Sequence, residues 1–294
     1  MIKNITKKAL RRVGYEVRRK YSYHELVSTP SRASSGIIIE FVGPSGIGKT
    51  TFFGKVKEDY RSDWLFRDDL KCTYEIDSAF ALLTVNEGNA ISRIMHATYL
   101  SLSGDDFPMP LHDRIYSYLV LEMKADILFR KTHSGRGLLS EDGLIHNFCS
   151  AILEASKDAS PETTSEISKL LKNRHFINFK ACDNYIIENL KKRKEESPGA
   201  GNDWIGNLGV HKALEITKAY QEDNERMMQI ALSLGSKVHE INIEDDFENN
   251  RTLFREFINS ITSDAHRQPE SALRGKHSKT TAQSRSPFFS LSEH

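Results

Sequence analysis

The sequence predicts an α/β protein built on a parallel sheet with helices on both faces, and three observations carry that expectation. Short apolar runs the length of a buried strand recur along the chain. They alternate with longer stretches of helical period, the pattern of βαβ units. The first run, Ile37, Ile38, Ile39, Glu40, Phe41 and Val42, is almost unbroken in its apolar character, as a strand buried on both faces must be.

The elements follow in order. Residues 2–20 place Ile2, Ile5, Ala9, Leu10, Val13 and Val17 at spacings of three and four with bases on the opposing arc, which predicts an amphipathic basic helix. Ser31 to Ser35 read as a polar linker, and the strand at 37–42 leads through a glycine-rich turn into a helix reaching about Asp63. Trp64 to Phe66 read as a second strand, ending in a charged turn of Arg67, Asp68 and Asp69. Helical periods cover 89–102 and 111–131, with a loop at 104–110 between them. Gly137 to Ser140 form a buried strand ending at Glu141, Asp142 and Gly143, before helices at 144–156 and 162–173. A strand at 175–179 and a helix from Asp183 to about Lys192 lead into a basic loop, 193–209, that contains Gly and Pro. A helix at 210–234 stopped by Gly235, a strand at 237–243 and a helix at 247–261 complete the set. The expected organisation is a basic helix and linker at 1–35, one α/β domain at 36–263 and a disordered tail at 264–294. That tail is rich in Ser, Thr, Arg, Lys and His and too poor in apolar residues to bury a core.

Composition bounds the function. The 294 residues are 38% hydrophobic and 28% charged, ordinary for a globular protein, and no run approaches the length of a membrane-spanning helix. The formal charge of +1 hides a strong asymmetry: residues 1–20 carry eight bases against one acid, whereas residues 21–263 sum to −8. An acidic body excludes general nucleic-acid binding, and the basic start lacks the aromatic residues of a stacking groove. It suits an anionic membrane surface instead, so the expected location is the cytosol, peripheral on the inner membrane face. Cys72, Cys149 and Cys182 are scattered without a CxxC pair and read as reduced, mostly buried side chains.

The most informative residues are Gly43, Pro44, Ser45, Gly46, Ile47, Gly48, Lys49 and Thr50, which match GxxxxGK[ST], the Walker A pattern, between a buried strand and a helix. Glycines let the backbone wrap a phosphate with N–H groups pointing inward, and the helix presents its positive end to the same anion. The expected nucleotide contacts are Gly43, Ser45, Gly46, Ile47, Gly48, Lys49, Thr50 and Thr51, with Lys49 reaching the β- and γ-phosphates of ATP. Thr50 is expected to bind Mg²⁺ together with Glu141 or Asp142 at the end of a neighbouring strand. Of the two acids Glu141 is preferred for the metal, because Asp142 beside Gly143 also suits a helix N-cap. The fold class is therefore a three-layer P-loop NTPase.

No NKxD stretch is present to read guanine, and Gly137 to Ser140 is short for a motor ATPase. The densely cationic run Lys191, Lys192, Arg193, Lys194 before Pro198 and Gly199 suits a lid that closes over a transferring phosphoryl group. The order of parts resembles the thymidylate kinase-like branch of the nucleoside and nucleoside monophosphate kinases. The resemblance rests on GPSGIGKTT at 43–51, SEDG at 140–143, NLKKRKEESPG at 189–199, HKALEITKAYQEDNERM at 211–227 and VHEINIEDDFEN at 238–249, and covers about 36–262. It implies an ATP- and Mg²⁺-dependent kinase with the adenine near Ile243 to Phe247 and with Arg193 and Lys192 of the lid meeting the phosphates.

The sequence departs from that family at the acceptor side, where Arg67, Asp68 and Asp69 stand in place of an Arg-Glu-Pro type turn and Glu141, Asp142 lacks a following arginine. An acidic pair there favours a hydroxyl acceptor: a nucleoside, a sugar or a glycan end. Asp68, or Asp69, is the expected general base, and Asp113 with Arg114 are further candidates for holding the acceptor. The alternative from another class is a P-loop ATPase or regulatory module without a small acceptor.

Overall fold

The computed structural model describes residues 22–24, 36–103, 109–132, 135–196 and 210–267. The expected basic helix at 1–20, the linker at 31–35, most of the lid segment and the tail beyond Arg267 lie outside these residues. The chain forms α/β layers around five parallel strands in the order β2-β3-β1-β4-β5. These are β1 (Ile38–Val42), β2 (Trp64–Phe66), β3 (Gly137–Ser140), β4 (Arg174–Lys180) and β5 (Val238–Asn242). All five expected strands are present.

β1 sits in the middle. It pairs with β3 in the register Ile38↔Leu138 and with β4 in the register Ile38↔Arg174. Its side chains alternate between two cores. Ile39 and Phe41 face a cluster with Phe52, Phe53, Phe179 and Phe254, in which the Phe41 ring meets four neighbours at centroid distances of 5.3–6.2 Å. Ile38 and Val42 face the other core with Leu138, Phe148, Phe176 and Met227. The first layer is supplied by α1 (Lys49–Val56) and α9 (Phe247–Arg267). The opposite layer contains α3 (Val85–Leu102), α4 (Met109–Lys131), α5 (Leu144–Ser156), α6 (Pro161–Leu171) and α8 (Val210–Ser233).

Local chemistry explains the boundaries. α3 starts earlier than its apolar period predicts because Thr84 and Glu87 close a capping box, with Lys131 also bound to the Glu87 carboxylate at 2.6 and 2.7 Å. Those bonds outweigh partial burial and draw the Glu87 carboxyl down to about 2. α6 begins at Pro161 behind the Ser160 cap. α1 is shorter than expected, giving way to a 3-10 turn at Lys57–Tyr60. α9 is longer, running on to Arg267 past the expected domain end at 263. α7 (Asp183–Glu196) likewise continues through the cationic run expected to begin a loop.

The expected charged turn after β2 is instead a short helix, α2 (Arg67–Lys71), in which Phe66 N–H donates to Asp69 Oδ2 at 3.3 Å. Arg67 is only 4% exposed. It donates to Ser140 Oγ at 2.7 Å and to Glu122 Oε2 at 2.9 Å, and lies 3.6 Å from Asp126. Arg174 joins the same buried network, reaching Glu40 Oε2 at 2.6 Å and Asp126. Arg130 bonds Asp126 at 3.1 Å, and Lys71 bonds Glu122. The single charge in the apolar β1 run is therefore the partner of an arginine on β4. Three buried carboxylates with this many cationic partners compensate each other's desolvation, which an isolated buried charge cannot do.

Of the three free cysteines only Cys149 is buried; Cys182 is exposed beside Glu244, correcting the expectation of mostly buried thiols. Among the described residues no helix is long and apolar enough to cross a membrane.

Candidate functional site

The carboxyl ends of β1 and β3 open into a single cleft of about 1460 Å³. Such crevices form where neighbouring connections leave a central parallel strand in opposite directions, and here β1 lies between β3 and β4. The glycine-rich loop after β1 makes its floor. Gly43, Gly46 and Gly48 hold φ of 138°, 83° and 101°, a region L side chains avoid. A Cβ on Gly43 would lie 2.9 Å from the Phe179 carbonyl, and one on Gly46 would lie 2.9 Å from Leu190. Asn189 on α7 donates to the Gly46 carbonyl at 3.1 Å and steadies the loop from above.

Lys49 is 6% exposed and donates to the Gly43 and Pro44 carbonyls at 2.8 and 3.1 Å. Gly48 caps α1 without a side-chain hydrogen bond and the first turn carries no acid, so the helix offers N–H groups and positive potential toward the cleft. Ser45, Gly46, Gly48, Lys49, Thr50 and Thr51 all line it. Ile47 does not: its side chain is fully buried in the Phe41 core, and its contribution is backbone alone. Gly43 likewise sits beneath the cleft as a hinge of the loop rather than in its wall.

β3 delivers Glu141 and Asp142 opposite Lys49. Burial and the adjacent Asp142 push the Glu141 carboxyl up to about 7, against a hydrogen bond from Thr50 and the charge of Lys49. Asp142 stays below the usual range: burial would raise it, but His146, Lys49, Lys71 and Arg67 outweigh that. Its Oδ1 lies 3.2 Å from His146 Nε2, and its Oδ2 accepts from the Tyr118 hydroxyl at 3.4 Å. The His146 ring is neutral, since burial and Lys49 hold it down to about 3 despite Asp142. The Tyr220 hydroxyl on α8 donates to the His146 carbonyl at 2.8 Å and also meets the ring at Nδ1. A chain Tyr220, His146, Asp142 thus runs along the wall toward the glycine-rich loop.

The expectation that Asp142 caps α5 is corrected. The cap residue is Gly143, without a side-chain bond, and Glu40 accepts from the His146 N–H at 2.6 Å. Glu40 packs so closely over Gly143 that a Cβ there would lie 2.1 Å from Glu40 Cδ. The turn after β3 is glycine because a strand carboxylate occupies the space. This arrangement frees Asp142 to face the cleft.

The remaining candidates fall as follows. Asp68 is 71% exposed on α2, lies 3.6 Å from Lys71 and is absent from the cleft wall, although its charge contributes to raising Glu141. Asp69 is occupied with the α2 N-terminus. Asp113 is 73% exposed beside His112, whereas its neighbour Arg114 lines the cleft. Lys192 also lines it, from α7. Arg193 lies in α7, and its side chain is outside the described residues. Ile243, Asp245, Phe247 and Asn250 flank the loop on the side of α9, and Lys55 stands over the Phe247 ring at 4.4 Å.

The opposite side of the cleft is made of residues that the sequence did not single out: Thr98 and Ser101 on α3, Asn147 and Ser150 on α5, and Thr217 and Asp223 on α8. His146 could have been suspected, standing one turn after Asp142 at a helix start. Among the described residues no cluster of three or more His, Cys, Asp or Glu side chains could hold a metal by itself. The pair Glu141 and Asp142 with the Thr50 hydroxyl matches a hard cation that takes most of its remaining ligands from phosphate and water. No protein-family model matches the chain, and no curated protein matches it significantly.

Proposed function

We propose that the protein is a P-loop phosphotransferase of the nucleoside monophosphate kinase-like kind, moving the γ-phosphoryl group of ATP to an acceptor hydroxyl. The observation that carries this reading is the meeting, across one cleft, of Lys49 and the glycine-rich loop with Asp142 at the end of the adjacent strand, with Glu141 behind the cleft wall bonded to Thr50. Cationic backbone and side-chain groups on one wall suit the phosphates. Ile243, Phe247 and Asn250 would border the adenine, and Lys192 would meet the phosphates from the α7 side.

Thr50 and Glu141 are the residues that fit Mg²⁺, whose charge would offset that of the phosphates; the Glu141 carboxyl is raised first by burial and then by Asp142 beside it, both of which a bound cation would counter. Asp142 takes the role first expected of Asp68. It reaches the cleft, stays ionised, and is oriented by His146. In the transfer, the acceptor oxygen bonds to the γ-phosphorus while the bond to the bridging oxygen breaks. ADP leaves with that electron pair, and the hydroxyl proton passes to Asp142. A loose transition state asks little basicity of this carboxylate, so positioning the hydroxyl matters more than pKa.

The test is a γ-labelled ATP screen of the full chain against nucleosides, nucleoside monophosphates and sugars. Label is expected on an acceptor, with transfer reduced at least a hundredfold in Asp142→Asn. Release only as free phosphate across the panel would replace this reading by a simple ATPase.

A further inference from the structure

The wall formed by α5 and α8 faces the glycine-rich loop and is chemically unlike it. From α8 it presents Thr217, Tyr220 and Asp223, spaced three apart, and from α5 Asn147 and Ser150, also three apart. Ser150 donates its hydroxyl to Asp223 Oδ2, joining the two helices by a polar pair. Asn147 Nδ2 is committed to the Asp142 and Gly143 carbonyls at 3.2 and 2.9 Å, which leaves its amide oxygen as an acceptor.

Thr217 is the decisive residue. It is 3% exposed, lines the cleft, and its hydroxyl has no hydrogen-bond partner. Helices rarely bury a hydroxyl in this state, because the lost hydration is not returned by any protein group. Nothing in the packing of α8 calls for Thr there, since Val has the same shape. The unmet bond is therefore available to a molecule in the cleft.

We infer that this wall is the acceptor subsite and that it takes an uncharged sugar ring with neighbouring free hydroxyls, carried by a glycoside or a nucleoside, rather than a phosphorylated acceptor. The inference rests on the phosphotransferase reading for its use but not for its binding chemistry. A carboxylate and a hydroxyl held side by side match vicinal hydroxyls, which both donate and accept. The Asp223 carboxylate would repel a phosphate at the same place. Arg67, the base nearest the end of β2, is spent on Glu122, Asp126 and Ser140 and cannot turn to meet one. Lys212, a cation on this wall, lies 3.6 Å from Glu215. The chain Tyr220, His146, Asp142 links the subsite to the phosphate end, so a ring held by Thr217 and Asp223 extends toward Asp142.

The test is saturation-transfer NMR and calorimetry on the full chain with methyl hexopyranosides, nucleosides and the monophosphates of both, with and without a non-hydrolysable ATP analogue. Uncharged members are expected to bind and their monophosphates to bind at least tenfold more weakly. The glycoside and nucleoside arms identify the source of the ring. Thr217→Val should leave the melting temperature unchanged or raised while weakening sugar binding about tenfold, a combination that a structural role for the hydroxyl would not produce. Asp223→Asn should weaken sugar binding by a similar factor and leave the affinity for the ATP analogue within about twofold. Tighter binding of monophosphates, no binding of any uncharged sugar, or sugar binding unaffected by both variants would overturn the inference and leave the kinase reading standing. Absence of ATP-analogue binding together with intact sugar binding would overturn the kinase reading alone.

Discussion

Two groups of carboxylates lie within the reach of one strand end; burial raises Glu40 in one and Glu141 in the other, but the two groups are partnered differently. Beneath the sheet, Glu40, Glu122 and Asp126 are sealed from water and matched by Arg67, Arg174, Arg130 and Lys71. At the cleft, Glu141 and Asp142 adjoin each other with only Lys49 and more distant bases to balance them, and the Glu141 carboxyl rises to about 7. Burial is the first cause of perturbation in both places. Balance is what differs: where every charge has its partner the cluster holds helices to strands, and where charge is left over the site is ready for something that is not protein.

The comparison can be broken most severely on the sealed side. Arg174→Leu leaves Glu40 and Asp126 buried without their main partner, and the expected loss is about 3–5 kcal/mol of unfolding free energy, measured by urea denaturation. The counterpart in the cleft is Lys49→Ala. Its effect should fall on ATP turnover, by roughly 10²–10³-fold, with a smaller stability loss than in the Arg174 variant. Gly143→Ala joins the two groups, since the added methyl would meet the Glu40 carboxyl. It should cost about 1–3 kcal/mol and also lower activity, because Asp142 precedes the displaced residue.

The gentlest probe sharpens the contrast without breaking either cluster. A raised Glu141 carboxyl holds in the folded state a proton that the unfolded chain has released, so its own share of the stability is lost as pH rises from about 4.5 to about 7, opposite in sign to the shares of His146 and His175, whose rings are held down to about 3 and about 4. Glu141→Gln should remove that opposing share, so that the melting temperature rises more steeply with pH over this window than in the unaltered chain. Because a metal needs the ionised form, activity at limiting Mg²⁺ should rise with pH through about 7, and its midpoint should move to lower pH as Mg²⁺ is increased. An unmoved midpoint would separate Glu141 from the metal.

The five strands and the glycine-rich loop were legible in the sequence because their signals are local: apolar runs, helical period and a motif of fixed spacing. α2 was not, since Arg67, Asp68 and Asp69 look like a solvated turn until Glu122, more than 50 positions away, supplies a buried partner for Arg67. Asp142 was assigned to a cap by its position before Gly143, a sound local reason that Glu40 overrides from another strand. The cleft wall formed by α5 and α8 was invisible for a related reason. Thr217, Asp223 and Ser150 are unremarkable residues in two helices, and their meaning arises only where α5 and α8 meet. Local rules locate elements well, whereas the choice of partner for a charge or a hydroxyl belongs to the tertiary structure.

The order of the strands has a consequence for how the chain is made. β1 is bonded on one side to β3 and on the other to β4, so Ile38 must wait for Leu138 and then Arg174. At a synthesis rate of about 5–20 residues per second, the central strand spends on the order of ten seconds without either neighbour. Closure of so distant a pairing is slow in itself. The central strand therefore leaves the ribosome well before either of the strands that protect it.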